Sequence, residues 1–364
     1  MRLPVNPPVE PMLAKSASVI PTAPGMHYEP KWDGYRCIVF RDGEEVVLGS
    51  RGGKQLERYF PEVVAAVVKE LPAQCVLDGE LIVVRDHRLD FDLLNQRIHP
   101  SARRIAELAE ATPARFVAFD VLADAERSYL DHSYAARRVV LEQLIGAYDG
   151  QVRTRVIHRT PVTTDPATAA RWFTQFEGAG LDGVIAKASD VPYAPGKRLM
   201  VKVKHHRTAD VVVAGYRRHR SLPGVGSLML GLYTDTGDLN YVGVCSAFTG
   251  AQRVELAVKL EPYRNLRSLT SNHPWQAAEG SGTPVPTRLP GGQNRWSAGR
   301  DTHWEPLRPE LVAEVSYDHT EDDRFRHIAQ FCRWRTDRGA ESCDYSQLAE
   351  PVSYDLQAVL EGRV

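Results

Sequence analysis

The sequence predicts an α+β fold in two domains. Its 364 residues are more than one domain usually holds, at roughly 150 residues per domain. Strand-like and helix-like runs alternate up to about residue 200, whereas short strands separated by glycine turns dominate after it. We therefore expect one domain over 1–205, with antiparallel sheets and helices, and a second over 206–364.

The first domain is predicted to begin its sheet with a hairpin. Two strand-like runs, 35–41 and 45–49, flank Asp42-Gly43, a dipeptide typical of hairpin turns. Apolar residues at helical spacing between Phe60 and Leu71 predict a helix. Further strands are expected at 76–84, 115–122, 183–188 and 200–204, and further helices at 133–145 and from 164 to glycines 178 and 180.

The second domain has the strand order of a nucleic-acid-binding barrel. Three short strands, a helix and two closing strands are predicted at 210–216, 227–234, 239–245, 252–263, 311–317 and 331–335. This is the order of the five-stranded OB-fold β-barrel. The segment 271–300 is rich in proline, glycine and serine, which predicts an inserted loop.

Composition excludes several classes of protein. No apolar run approaches the length of a membrane span, and the proline-rich first residues do not form a secretory signal, so we expect a cytoplasmic protein. None of the five cysteines lies in a CxxC pair, which predicts reduced thiols and no zinc site. The net charge is −1, yet residues 197–220 carry eight Lys and Arg against one acid. Such a stretch indicates either a phosphate-binding face or an ordinary solvated surface.

Glu29-Pro-Lys-Trp-Asp-Gly-Tyr-Arg36 contains a candidate covalent nucleophile, Lys31. A lysine amine has a pKa near 10.4 in water, so it attacks only where neighbouring cations or burial favour its neutral form. A surface turn with a weak Lys–Asp ion pair is the alternative interpretation of these few residues.

Acids and an aromatic residue interrupt two apolar strands. Asp78 and Glu80 are two residues apart on a strand and therefore point to one face, which suggests metal ligation or contact with a sugar hydroxyl. Phe119 ends the strand-like run that begins at Arg115, where it either stacks on a nucleobase or packs in the core.

Cations recur later in the chain in a fixed order. Asp182 and Lys187 bracket a short apolar strand, and alternation places Lys202 and Lys204 on one face, where an anion would relieve their repulsion. An arginine-rich stretch, 323–337, follows in the second domain and suits phosphate oxygens.

This ordered set resembles the covalent nucleotidyltransferase superfamily, and within it the ATP-dependent DNA ligases of the bacterial ligase C and ligase D type. The resemblance runs from about Pro11 to Asp337 and implies that 1–205 is a nucleotidyltransferase (adenylation) domain whose Lys31 takes up AMP covalently. It implies nucleotide contacts from Glu29, Arg36, Arg51, Glu80, Phe119, Lys187, Arg198, Lys202, Lys204, Arg324 and Arg326. It implies Mg²⁺ or Mn²⁺ held by Asp33, Glu80 and Asp182.

The sequence departs from the family pattern at three places. Asp182 stands where the family usually has glutamate, which is one methylene longer. Met200-Val201 replaces the usual aromatic-aliphatic pair before the two lysines. The arginines of 324–335 are loosely spaced, so the pattern does not select which of them meets pyrophosphate.

The resemblance implies an enzyme that seals nicks in double-stranded DNA with ATP. We expect a monomer without a membrane association, with repair proteins as candidate partners. The alternatives are an RNA ligase or capping-type nucleotidyltransferase, a non-catalytic OB-fold nucleic-acid-binding protein, and an NAD-dependent ligase. Lack of a cysteine zinc finger and the arginine-rich ending speak against the last of these.

Overall fold

The computed structural model describes residues 1–146, 155–205, 207–264, 273–275, 290, 303–318, 320–321, 323–348 and 352–364. The strands of the first half are β1 (Leu13–Ala17), β2 (Met26–Pro30), β3 (Tyr35–Asp42), β4 (Glu45–Ser50), β5 (Gln74–Arg85), β6 (Arg88–Leu89), β7 (Ala114–Asp124), β8 (Ile157–Arg159), β9 (Val184–Ala188) and β10 (Arg198–Val203). Those of the second half are β11 (Arg207–Arg218), β12 (Val225–Tyr233), β13 (Leu239–Cys245), β14 (Glu305–Tyr317), β15 (Thr320–Glu321), β16 (Arg324–Phe325) and β17 (Gln330–Trp334).

The described helices are mostly short and amphipathic. They are α1 (Pro61–Glu70), α2 (Phe91–Gln96), α3 (Ala102–Ala111), α4 (Tyr134–Leu144), α5 (Pro166–Gln175), α6 (Gly250–Leu260) and α7 (Leu356–Leu360). Single 3₁₀ turns occur at Glu57–Tyr59, Phe176–Ala179, Glu261–Tyr263, Ala340–Ser342 and Tyr345–Gln347. No helix in the described ranges is long and apolar enough to cross a membrane.

Local sequence signals explain where these elements begin and end. Asp42 pairs with Glu45, so Gly43 and Glu44 form the hairpin turn, and Gly43 has φ +63°. Helix α5 starts where the Asp165 side chain accepts hydrogen bonds from two backbone N–H groups, and the following 3₁₀ turn ends at Gly180, which has φ +85°. The predicted hairpin and helix boundaries are therefore confirmed at these places.

The chain forms two compact units, which differ in one respect from the predicted domains. The first is Met1–Lys204 together with Pro351–Val364, and the second is His205–Glu350. The prediction that 206–364 forms one domain is wrong for the C-terminal residues. Leu356, Val359 and Leu360 are buried in a core cluster of the first unit, which the short apolar pattern of this segment did not reveal.

The first unit contains two sheets. The larger has the order β4-β3-β5-β7-β8, with β6 paired to β5, and the smaller has the order β1-β10-β9-β2. Antiparallel sheets were predicted, but β1 pairs with β10 and β7 pairs with β8 in parallel. In each of these two parallel pairs the strands are far apart in the chain, so hairpin signals could not indicate the pairing.

The second unit is built on an antiparallel five-stranded sheet with the order β13-β12-β11-β14-β17. Helix α6 begins with a capping box between Thr249 and Gln252. The described pairings show a sheet and do not establish the closed barrel that was predicted. The predicted insertion 271–300 lies outside the described residues except for 273–275 and 290, where His273 Nε2 lies 2.9 Å from the Ala214 carbonyl oxygen.

Candidate active site

A cavity of about 260 Å³ in the first unit brings together residues from both of its sheets. The pairing of β2, β9 and β10 places Glu29, Ile185 and Lys202 side by side on one face of the smaller sheet. Arg36 and Glu80 are direct partners on β3 and β5 of the larger sheet. Ten predicted site residues line the cavity: Glu29, Lys31, Arg36, Arg51, Glu80, Phe119, Lys187, Arg198, Lys202 and Lys204.

Lys31 is held by its backbone as well as by its side chain. Its N–H donates to the Gly183 carbonyl at 2.9 Å, and its carbonyl accepts from Asp182 N–H at 3.0 Å. Gly183 has φ +116°, and a Cβ there would lie 2.0 Å from the Val203 carbonyl oxygen. The glycine after Asp182 is therefore required for β2, β9 and β10 to approach one another around Lys31.

Asp182 accepts from two ammonium groups with one oxygen. Its Oδ2 lies 2.6 Å from Lys31 Nζ and 2.7 Å from Lys204 Nζ. Burial by itself would raise the pKa of this carboxyl, but the two lysines outweigh burial and lower it to about 2. Asp182 is thus ionised across the physiological range and fixes both lysines beside the cavity.

Glu80 has the opposite electrostatic character. Burial raises its pKa to about 7, although the charges of Arg36 and Lys31 oppose this rise. The carboxyl of Glu80 can therefore exchange a proton near neutral pH, or accept a hydrogen bond from a ligand hydroxyl.

Arg36 is fixed by Asp78 and lies over the aromatic ring of Phe119. Its Nε donates to Asp78 Oδ1 at 2.6 Å, and its Cζ lies 4.5 Å from the ring centroid. Asp78 is fully buried in this pair and also accepts from Tyr193 Oη at 2.6 Å. The interpretation of Asp78 as a metal ligand or sugar contact is wrong, because Arg36 and Tyr193 already occupy its oxygens.

Phe119 owes its position to an irregularity in β7. Gly79 pairs with Ala118 and Asp78 pairs with Asp120, so Phe119 is an extra residue with no partner on β5. A β-bulge of this kind re-aims a side chain. Here the ring of Phe119 lines the cavity although it is only 8% exposed.

Lys187 is buried in a network that the sequence only partly indicated. Its Nζ lies 2.9 Å from Glu29 Oε2, donates to the Phe119 carbonyl at 3.0 Å, and lies 4.7 Å from the Tyr134 ring centroid. Tyr134 Oη donates to Glu29 in turn. Sequence reasoning missed Tyr134, because a tyrosine at the start of an amphipathic helix carries no signal of a site.

The remaining cations form one side of the cavity. Lys202 lines it from β10, and burial together with the charges of Lys204 and Lys31 lowers its pKa. Arg51 and Arg198 are exposed at the lining. Apolar lining from Pro11, Leu13, Ala14, Ile185 and Met200 was not predicted, since such residues read as ordinary core.

The predicted metal ligands are not assembled as a metal centre by protein groups alone. In the ranges the structure describes, no three His, Cys, Asp or Glu side chains are close enough to hold an ion. Of the three predicted metal ligands, Glu80 lines the cavity, whereas Asp33 and Asp182 are not part of the lining. Mg²⁺ commonly takes one or two carboxylates and completes its shell with water and substrate phosphates.

Two arginines of the arginine-rich stretch, 323–337, pair with acidic side chains of the second unit. Arg335 donates to Asp210 at 2.6 Å, and Arg333 donates to Glu314 at 2.6 Å. These two arginines therefore hold the second unit together. Arg324 lies in β16 and Arg326 follows it, and burial lowers the pKa of Arg326 to about 10.

Comparison with known proteins identifies the family. The family model described as "ATP dependent DNA ligase domain" matches residues 11–204, and "ATP dependent DNA ligase C terminal region" matches residues 222–338. DNA ligase C2 of Mycolicibacterium smegmatis is 54% identical over 353 residues, covering 96% of this chain and 97% of that protein. DNA ligase C of Mycobacterium tuberculosis is 51% identical over 364 residues, covering 100% and 99%.

A solved structure agrees at the level of the fold. A structure from work on Lig E DNA ligases is 16% identical, with a TM-score of 0.51, and the match covers 89% of this chain and 99% of that one. At this identity the likeness concerns the fold alone. Together with the two family models and the near full-length relatives, it leads to one conclusion: the chain belongs to the family of ATP-dependent DNA ligases.

Proposed function

We propose that Lys31 is the nucleophile that takes AMP from ATP, before the AMP passes to the 5′-phosphate of a nick in duplex DNA. The observation that carries this proposal is the cavity itself. Sequence motifs spread between residues 29 and 204 contribute side chains to the lining of one cavity of about 260 Å³, which includes Lys31. An incidental surface turn would not gather these residues from two sheets.

The transfer to Lys31 makes a nitrogen–phosphorus bond and breaks the bond between the α-phosphate and pyrophosphate. Nζ must give up a proton to solvent before the new bond is complete, and the ionised Asp182 holds Nζ in place through its Oδ2 at 2.6 Å. Negative charge spreads over the phosphate oxygens during such a transfer. Lys202, Lys204 and Arg198 offer fixed positive charge at the same lining, which favours that charge distribution.

Other residues of the same lining suit a nucleoside. Phe119 presents an aromatic ring next to the Glu29–Lys187 pair, and Met200 and Ile185 add apolar surface. Glu80 and Arg51 are the candidates for contact with ribose or phosphate. A hydrophobic slot with a few fixed polar groups is the usual form of a site for a flat base.

Mg²⁺ or Mn²⁺ remains a prediction. Glu80 is the carboxylate of the cavity lining that would contribute to its shell, whereas Asp33 and Asp182, the other two predicted ligands, are not part of that lining. When bound with ATP, the ion would supply positive charge to the phosphates.

The second unit is proposed to act as the OB-fold domain of the enzyme. Its five-stranded antiparallel sheet in the order β13-β12-β11-β14-β17 supports this assignment. Arg324 and Arg326 are proposed to face pyrophosphate, because the planar fork of an arginine suits phosphate oxygens. We propose nicked double-stranded DNA as the substrate of a monomeric, cytoplasmic enzyme, with repair proteins as candidate partners.

The test is covalent labelling followed by ligation. Wild-type protein incubated with α-labelled ATP should keep the label through denaturation, whereas Lys31→Ala should keep none. Lys69→Ala, which removes an exposed lysine of α1, is the matched control and should label normally. Label retained by Lys31→Ala would refute the assignment.

Donor and substrate arms separate the alternatives. Labelling by GTP in place of ATP would favour a capping-type enzyme, and labelling by NAD⁺ would favour an NAD-dependent ligase. Sealing of a nicked RNA duplex but not of nicked DNA would favour an RNA ligase. A protein that forms no adenylate with any donor would be a binding protein only.

A further inference from the structure

The C-terminal segment, residues 352–364, returns to the first unit after the chain has passed through the second. Its helix α7 buries Leu356 and Val359 completely and leaves Leu360 5% exposed. These side chains belong to the same core cluster as Trp32 and Phe119. Trp32 follows Lys31 in the chain, so the segment belongs to the core cluster that contains the chain neighbour of the proposed nucleophile.

One face of the larger sheet joins this cluster to the active site. Glu80 and Ile82 lie on the same face of β5, because alternate residues of a strand point the same way. Glu80 pairs with Val117 across β7, which puts Val117 on that face too. Ile82, Val117 and Leu356 share one cluster. The face that carries Glu80 at the cavity is therefore packed against α7 beyond it.

Polar contacts tie the segment to the strand that carries Phe119. Arg115 Nη1 donates to Gln357 Oε1 at 2.9 Å, four residues before Phe119 on β7. Leu356 N–H donates to the His87 carbonyl at 3.0 Å. These bonds fix both the register and the depth of α7 on the sheet.

A second tie leads to Trp32. The ring of His158 contacts the Leu360 carbonyl at 3.3 Å, and two residues later Thr160 Oγ1 accepts from Trp32 Nε1 at 2.8 Å. His158 and Thr160 are 3% and 0% exposed. The segment 158–160 thus links α7 to the Trp32 indole.

The backbone of the segment also requires close approach. A Cβ at Gly178 would lie 1.7 Å from the Val352 carbonyl oxygen. Tyr354 packs on Phe176 with ring centroids 5.0 Å apart. Leu181, which precedes Asp182, belongs to the same cluster as Phe176. Both partners of the Lys31–Asp182 ion pair therefore have a chain neighbour in the cluster that α7 completes.

We propose that the C-terminal segment is a positioning element for adenylation: it fixes Trp32, Leu181 and Phe119, and through them Lys31, Asp182 and the nucleoside face. This inference rests on the proposed role of Lys31. A close-packed core relaxes only partly when a side chain is removed, so its neighbours shift. A shift of about 1 Å at reacting groups can cost on the order of a hundredfold in rate.

The test compares two core truncations in the full-length chain. Leu356→Ala should lower the single-turnover rate of adenylation at saturating ATP by about tenfold or more, while the protein stays folded. Val67→Ala, in a fully buried position of α1 within a separate cluster, is the matched control. It should lower the melting temperature comparably and leave that rate within about twofold of wild type. Leu356→Met keeps the volume and should restore the rate.

Two outcomes would overturn the inference. Folded Leu356→Ala that adenylates within twofold of wild type would show that α7 does not position the site. Equal slowing in Val67→Ala would reduce the effect to general stability. If Leu356→Ala does not fold, Gln357→Ala, which removes the side-chain contacts with Arg115 and Glu361, decides by the same criterion. Lys31→Ala in the same assay tests the nucleophile separately, because its loss of label does not depend on α7.

Discussion

At the scale of single residues, Asp182 connects the proposed nucleophile to Lys204, the residue at which the chain leaves the first unit. One carboxylate oxygen serves both Lys31 and Lys204, at 2.6 and 2.7 Å. Two ammonium groups this close would repel each other without it. The side chain that departs from the family pattern is therefore the one that holds this pair of cations in place.

Replacing Asp182 by Asn should strongly impair adenylation. The amide cannot neutralise the two lysines, so we expect the rate of adenylate formation to fall by about tenfold or more, because Lys31 loses its fixed position. Asp190→Asn, at an exposed position nearby in the chain, should behave like wild type. Rapid-quench labelling with ATP measures both variants. An Asp182→Asn protein as fast as wild type would contradict a role for this carboxylate.

At the scale of elements, the structure shows which parts of the site the sequence could predict. Lys187, Lys202 and Lys204 were found from local patterns, because charges on apolar strands are costly without a partner, and Lys31 was found from its place near a carboxylate and a glycine. The bulge that turns Phe119 toward the cavity depends on the pairing of β7 with β5, which no local pattern contains. Partners such as Tyr134 were missed for the same reason: they come from elements distant in the chain.

The hydrogen bonds of Tyr193 offer a test that separates stability from activity. Tyr193 Oη donates to Asp78 and accepts from Met12 N–H at 3.0 Å, whereas Arg36 keeps its own two bonds to Asp78. Tyr193→Phe should cost about 1–3 kcal/mol of unfolding free energy, because it leaves the buried Met12 N–H without an acceptor. Adenylation should change by less than about threefold, since each such bond contributes little to transition-state binding by itself.

Arg36→Ala is the contrasting variant for this test. It removes the cation that lies over Phe119 and should raise the ATP concentration needed for half-maximal adenylation. Thermal unfolding and ATP titration together separate the two effects. A Tyr193→Phe protein that loses ATP affinity as severely as Arg36→Ala would show that the tyrosine acts on the nucleotide directly.

At the scale of the whole molecule, the first unit is made of two chain segments, one before and one after the second unit in the sequence. The boundary after Lys204 follows a change in strand and turn pattern that was visible in the sequence. The return of the chain was not visible, because five residues of α7 are too few for a periodic signal. Stability of the first unit therefore depends on a segment that the sequence alone assigned to the other domain.

The pH dependence of unfolding should report on that segment through His158. Burial, with the nearby charge of Arg115, lowers the pKa of this histidine from 6.5 to about 4. Between these values the ring binds a proton in the unfolded chain and not in the folded one, so the contribution of His158 to stability should fall as pH decreases from 6.5 to 4. The full change is about 3 kcal/mol, and it levels off below pH 4.

Urea unfolding of wild type and His158→Gln at pH 7, 6, 5 and 4.5 measures this effect. The unfolding free energy of wild type relative to the variant should fall as pH decreases, because glutamine does not titrate. His132→Gln, at an exposed position, should keep the wild-type slope. Glu80 acts with the opposite sign, because its pKa is raised to about 7, but it is present in both proteins and cancels in this difference. Asp182, whose pKa is lowered to about 2, loses its contribution only below the ordinary carboxyl value of 3.8. Equal slopes in wild type and His158→Gln would contradict this prediction. They would mean that the folded protein accepts a proton on the His158 ring while the ring keeps its contact with the Leu360 carbonyl of α7.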